Sequence, residues 1–169
     1  MDMNLIEPTL VAKNSTELTF SLPARPPATS PFVVRISGTV SVAALGRDQF
    51  LVLALNNDTA PGKYAGFSID FAPGYHGDVV RSVNNGFIVG YTGWGKDADI
   101  VFDAVMTVGT GFARAASGSY TTIHSDGRQY ISQIGGNYID KVSQITDFKL
   151  FLPSGGSFNG GKLMVSIAA

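Results

Sequence analysis

The sequence predicts an all-β chain, a sandwich or barrel of about ten short strands. Three observations carry that prediction. Apolar residues recur with a period of two almost everywhere. Clusters of Gly, Asn, Ser and Pro interrupt that period roughly every 8–15 residues, as turns do between strands. No stretch holds apolar side chains at i, i+3, i+4 and i+7 through three turns, so no amphipathic helix is expected.

The elements follow in chain order. Leu18, Phe20 and Leu22 alternate with Thr19 and Ser21. Pro23, Pro26, Pro27 and Pro31 then exclude a helix or central strand, because proline lacks the amide hydrogen both require. Residues 32–42 read as a long strand with Val34, Ile36 and Val40 spaced for one face. Residues 50–55 form an unbroken apolar run, the pattern of a strand buried on both faces. Asn56-Asn57-Asp58-Thr59 and Pro61-Gly62 make a loop. Residues 64–71 resume the alternation through Phe67, Ile69 and Phe71, and 72–77 read as a loop. Residues 79–91 read as two strands joined at Asn84-Asn85-Gly86, a hairpin signal because Asn and Gly accept positive φ.

Beyond the loop Gly93-Trp94-Gly95-Lys96-Asp97, the residues Ile100, Phe102, Val105, Met106 and Val108 mark another strand. Residues 113–125 and 130–134 are joined by Ser125-Asp126-Gly127-Arg128, again turn chemistry. The last pair runs through Ile145, Phe148, Leu150 and Leu152 into Pro153-Ser154-Gly155-Gly156-Ser157. It then returns along Leu163, Val165 and Ile167. Residues 1–31 are expected to be an N-terminal arm or strand pair ending in the proline-rich segment, and 32–169 the main domain.

Composition narrows the function classes. A chain of 169 residues and 17.8 kDa buries about two-thirds of its surface on folding, enough for a core without staples. It has no Cys, which excludes a disulfide framework, a Cys-ligated zinc and thiol catalysis. The net charge of −1 and pI near 6.0 offer no basic field for nucleic acid or an anionic membrane. Charged residues make up only 15% against a usual value of about 25%, a balance that suits a chain hiding surface in an assembly. No apolar stretch approaches the ~20 residues of a membrane helix. Met1-Asp2-Met3-Asn4 lacks the basic start of a signal peptide.

Chemistry-bearing residues are sparse. His76 and His124 are the only imidazoles and lie too far apart in sequence to suggest a His-rich metal site, so the expectation is incidental histidines. No G-x-S-x-G elbow supports a serine nucleophile. Glu7 and Glu17 are the sole glutamates, so a glycosidase pair has few candidates. Asp97 and Asp99, with Asp103 in phase beyond them, have the spacing of oxygen ligands for calcium. A solvated strand edge whose charges block sheet addition explains them as well. Gly90-Tyr91-Thr92-Gly93-Trp94-Gly95-Lys96 lacks the order of a phosphate loop. No cofactor is expected. Tyr75, Tyr91 and Trp94 sit in or beside Gly-rich loops and are the candidate ligand-binding residues. An exposed ring there can stack on a sugar face, plug the end of the sandwich, or pack in a subunit interface.

Two segments resemble a small jelly-roll module of tailed-bacteriophage virion proteins. Phe50-Leu51-Val52-Leu53-Ala54-Leu55-Asn56-Asn57-Asp58-Thr59 followed by Tyr64 resembles its strand, N-G-D-T and Tyr segment. Ile145-Thr146-Asp147-Phe148-Lys149-Leu150-Phe151-Leu152, Ser154-Gly155-Gly156-Ser157-Phe158 and Gly160-Gly161-Lys162 lead into Leu163-Met164-Val165-Ser166-Ile167. That run resembles the module's closing hairpin. The likeness covers 32–169. Asn57 stands where the module has Gly, and the chain ends Val165-Ser166-Ile167-Ala168-Ala169 where the module ends Leu-Tyr-Gly.

The resemblance implies a jelly-roll β-sandwich and a non-enzymatic virion component: a capsid decoration protein, a tail fibre or spike tip, or a capsid fibre head. It also implies a homotrimer, other virion proteins as partners and, for some members, carbohydrate binding to host surface glycans. A short chain starting at Met1 favours a capsid-surface or tail-assembled subunit. Leu5, Ile6, Leu10, Val11, Phe20 and Leu22 would then be the assembly arm, docking on a neighbour by strand addition or apolar burial.

Overall fold

The computed structural model describes residues 4–22, 32–71, 79–109, 114–141 and 143–168, without the side chains of 4–8 and Val79. The described residues form twelve strands and no helix, so none of them makes a helix that could cross a membrane. In chain order the strands are β1 (Asn4–Leu10), β2 (Glu17–Ser21), β3 (Phe32–Ala43), β4 (Phe50–Leu55), β5 (Tyr64–Phe71) and β6 (Val79–Val83). Then follow β7 (Phe87–Tyr91), β8 (Ala98–Val108), β9 (Arg114–His124), β10 (Gln129–Tyr138), β11 (Asp147–Phe151) and β12 (Ser157–Ala168). An eight-stranded sheet runs β1-β12-β3-β8-β9-β10-β5-β6, and a four-stranded sheet runs β2-β11-β4-β7. Every pairing is antiparallel. The expected all-β sandwich architecture is present, with more strands than expected.

The core lies between the sheets. Val34, Ile36, Val40, Ile100 and Phe102 from the large sheet and Leu51, Leu53, Phe148 and Leu150 from the small one are almost wholly buried. Burying each such side chain contributes roughly 1.5–3 kcal/mol. β4 is buried on both faces from Leu51 onward, as its unbroken apolar run predicts. β7 is likewise buried throughout, and it packs against β8, β9, β10 and β5.

The N-terminal strands are integral to this core. β1 pairs with β12 and β2 with β11, each at the edge of its sheet. The link between them is pinned by Val11 N to Gly161 O at 3.0 Å and Asn14 N to Phe158 O at 2.7 Å. Val11, Phe20 and Leu22 are buried in the chain's own core, with Phe20 stacked on Phe148 at 5.6 Å. Of the residues expected to reach a neighbour, only Leu10 is known to be exposed, at 75%. The side chains of Leu5 and Ile6, and the proline segment 23–31, lie outside the described residues.

Two turns expected to close hairpins instead carry the chain between sheets. Asn84-Asn85-Gly86 joins β6 of the large sheet to β7 of the small one, and 152–156 joins β11 to β12 across the same gap. Turn residues supply the reversal but do not decide where the next strand finds partners. By contrast Ser125-Asp126-Gly127-Arg128 closes a true hairpin, with Gln129 opposite Ile123.

β5 is turned over relative to its apolar pattern. Tyr64, Gly66, Ser68 and Asp70 face inward and are buried, while Phe67 and Phe71 are more than two-fifths exposed. β10 keeps Tyr130, Ile134 and Tyr138 inward, and beside β5 it buries Ser132 and leaves Ile131 57% exposed.

The crossover at Gly86 is so tight that only hydrogen fits. A Cβ there would collide with the Val52 side chain and stand 2.8 Å from Leu53 O. Gly86→Ala is expected to lower the unfolding free energy by about 1–3 kcal/mol, the cost of overpacking a filled site, in a urea titration.

Candidate functional site

The inner face of β5, β9 and β10 carries a buried polar cluster around Asp70. Because side chains alternate, placing Phe67 and Phe71 outside puts Ser68 and Asp70 inside. Tyr120 Oη donates to Asp70 Oδ1 at 2.9 Å and Ser132 Oγ donates to the same oxygen at 2.6 Å. Arg81 Nε, from β6, donates to Asp70 Oδ2 at 2.5 Å. Ser68 lies against the Tyr120 hydroxyl at 3.3 Å. Burial works to lower the Arg81 pKa, but the hydrogen bond and charge of Asp70 outweigh it and hold the guanidinium firmly charged.

The cluster continues across the gap to β7. The Arg81 guanidinium carbon lies 3.6 Å from the centre of the Tyr91 ring, a cation–π contact. Tyr91 Oη donates to Asp48, and burial together with that bond pushes the phenol up to about 12. Thr122 Oγ1 donates to Tyr91 O at 2.8 Å, and Tyr130 Oη donates to the same carbonyl. With both carboxylate oxygens engaged, Asp70 serves as a tie rather than a free base.

At the end of this cluster the chain makes an unusual loop. Gly93, Trp94 and Gly95 have φ of 65°, 49° and 61°, three left-handed residues in succession. Left-handed backbone is readily accessible to glycine and costs a tryptophan of order 1 kcal/mol, so the surroundings must hold it. Asp48 Oδ1 accepts Gly95 N at 2.6 Å. Gln49 N donates to Thr92 Oγ1 at 2.9 Å, and Thr92 N donates to Gln49 O at 2.9 Å. The Trp94 ring is 44% exposed. Arg128 covers it at 4.4 Å, and it meets the rings of His124 at 4.9 Å and Tyr130 at 6.1 Å edge-on.

His124 is the titratable group this arrangement leaves in tension. Its side chain is buried and neither ring nitrogen has a hydrogen-bond partner. Burial lowers its pKa below the usual 6.5. Arg128 and Lys96 act in the same direction, against Asp126 and Asp48.

The residues singled out from sequence fall in different places. Tyr75 and His76 lie outside the described residues. Tyr91 is buried with its hydroxyl engaged, while Trp94 presents an exposed ring. The two therefore do not form one open aromatic face. Asp97 Oδ1 accepts Ala44 N at 2.9 Å, and Asp99 accepts the Ser41 hydroxyl. Both line a shallow recess of about 140 Å³ with Ser41, Ser125 and Asn159. No group of three or more His, Asp or Glu side chains able to hold a metal ion occurs among the described residues. The Asp70 cluster was missed in the sequence, where its one signal is a carboxylate alternating with aromatic residues inside a strand.

Asp70→Ala is expected to cost about 3–5 kcal/mol in denaturant unfolding, because it leaves Arg81 charged and unpaired in a mostly buried site. His124 contributes a pH dependence whose sign follows from its lowered pKa. The unfolded chain takes up a proton near pH 6.5 while the folded imidazole resists it. Stability is therefore full above about pH 6.5 and falls as the pH drops below it. Trp94 is the only tryptophan, so its fluorescence reads this site directly. Wild type is expected to show an acid transition that His124→Phe flattens.

Comparison of the chain with protein families, with characterised proteins and with solved structures finds no significant match to any of them.

Proposed function

We propose that this protein is a structural subunit of a tailed-bacteriophage virion, a jelly roll that works by assembly rather than by catalysis. The observation that carries the reading is the strand order. Set aside β5, β6, β9 and β10, and the sheets read β1-β12-β3-β8 and β2-β11-β4-β7. Each consecutive pair, β1 and β2, β3 and β4, β7 and β8, β11 and β12, then divides between the two sheets. That winding is the one two nested Greek keys produce in an eight-stranded jelly roll. The remaining strands are two hairpin-like insertions, β5-β6 and β9-β10, that widen one sheet.

Fold alone does not give function. The virion reading rests on this strand order together with the resemblance of 50–64 and 145–167, which supply β4 and its following loop and the β11–β12 crossover. The low charged fraction agrees with it, since a subunit with covered faces needs fewer solvating charges. Glycan recognition is the second reading, and it rests on Trp94, which is 44% exposed on a loop pinned by hydrogen bonds to Asp48 and Gln49.

The test is physical association with particles. Particles banded on a density gradient from cells making the chain are expected to contain it in stoichiometric copies by quantitative mass spectrometry. Abundant protein in the lysate with none in the band would overturn the reading.

A further inference from the structure

The outward face of the large sheet over β9, β10, β5 and β6 is a second feature of the inversion. Phe71 stands opposite Ile131, and Ile131 opposite Thr121 and then Val101, in one row across four strands. Ile69 stands opposite Val80 in the next row. Val80 is 66% exposed, Ile131 57% and Phe71 44%. Phe67 lies across Gly135, where any Cβ would meet its ring. With Ile123, Val101 and Val105 at its margin, the apolar surface amounts to on the order of 500 Å², the upper range for a soluble monomer.

The same face carries no charge over β5, β9 and β10; its charges begin at the β8 margin, with Asp99 opposite Ile123 and Asp103 opposite Ser119. Along β5, β9 and β10 every outward position is apolar, a hydroxyl, an amide or glycine. A sheet face left in water ordinarily carries charged side chains, and the core of an interface is where they are depleted. Beyond it, the nearest ion pair, Arg35 with Asp103 at 2.6 Å, is already self-neutralised. The apolar surface plus its hydroxyl and amide surround approaches the ~800 Å² per partner that a stable interface buries.

We propose that this face packs on the same face of a second copy of the chain. An uncharged surface does not select a partner of opposite charge, and at net −1 two copies approach without appreciable repulsion. Two twisted sheets stack face to face readily, as sandwiches do within one chain. This inference rests on the assembly reading above and gives it a surface. Two-fold pairing gives even-numbered assemblies, whereas the resemblance to phage proteins by itself implies trimers.

Sedimentation equilibrium on wild type, Ile131→Glu, Val80→Lys and Leu10→Glu tests it, with circular dichroism confirming that each variant folds. Leu10 is exposed and apolar but lies on β1, at the far edge of the sheet. Wild type is expected to sediment at an even multiple of 17.8 kDa. Ile131→Glu and Val80→Lys should weaken association by about tenfold or more, and Leu10→Glu should leave it unchanged. A monomer or a trimer overturns the pairing, as does dissociation by Leu10→Glu equal to that of the other two. Particle content is read separately. A monomer that enters particles removes this face and leaves the virion reading. An even-numbered oligomer absent from particles does the reverse.

Discussion

The structure turns on an imbalance between its sheets: eight strands lie in one and four in the other. Four strands cannot cover the inner face of eight, and β7 is the strand of the small sheet that reaches across β8, β9, β10 and β5. Over β5, β9 and β10 the inner face is closed by side chains that bridge to one another. Asp70 ties Tyr120, Ser132 and Arg81 together, and Arg81 lies on the Tyr91 ring. A buried carboxylate is costly unless every lone pair has a donor, and here the donors come from three neighbouring strands. A slip of one residue in β5 would send Asp70 outward and Phe71 inward, so the cluster is satisfied in one register.

That constraint explains the outside as well as the inside. In a strand the two faces are complementary, and a polar inner row at Ser68, Asp70 and Ser132 leaves Phe67 and Phe71 of β5 and Ile131 of β10 facing outward, while Tyr130, Ile134 and Tyr138 stay inside. The exposed aromatic surface is thus the other half of the internal cluster, not an independent accident. Free energy lost by leaving Phe67, Phe71 and Ile131 in water is recovered only where something covers them.

The period of two made the strands legible, and continuous apolar runs marked β4 as buried on both sides. What the period cannot say is which face is inside. Phe67, Ile69 and Phe71 suggest an apolar inner row, and the three donors that Asp70 meets inside, from Tyr120, Ser132 and Arg81, go with the opposite choice. Turn chemistry had the same limit. Asn84-Asn85-Gly86 and Ser125-Asp126-Gly127-Arg128 look alike as sequences, yet one crosses between sheets and the other closes a hairpin. The difference lies in Gly86, whose close approach to Leu53 and Val52 is a long-range contact. Trp94 was visible as a loop aromatic between glycines, but the burial of Tyr91 beneath Arg81 depended on a strand remote in sequence.

The low charged fraction acquires a location in this light. Charges sit in the turns, as with Asp58 and Lys63 or Asp126 and Arg128. Others pair on the half of the large sheet around β3 and β8, as Arg35 and Asp103 do. Three more, Asp70, Arg81 and Arg114, are drawn into the interior or its margin. The outward rows of β5, β9 and β10 keep none. The side chains of Val11, Phe20 and Leu22 are already engaged in the chain's own core, and β1 and β2 close the sheets at their other ends. Among the described residues, the exposed apolar side chains that adjoin one another, Phe67, Phe71, Val80 and Ile131, lie on the half of the large sheet farthest from its N-terminal strands.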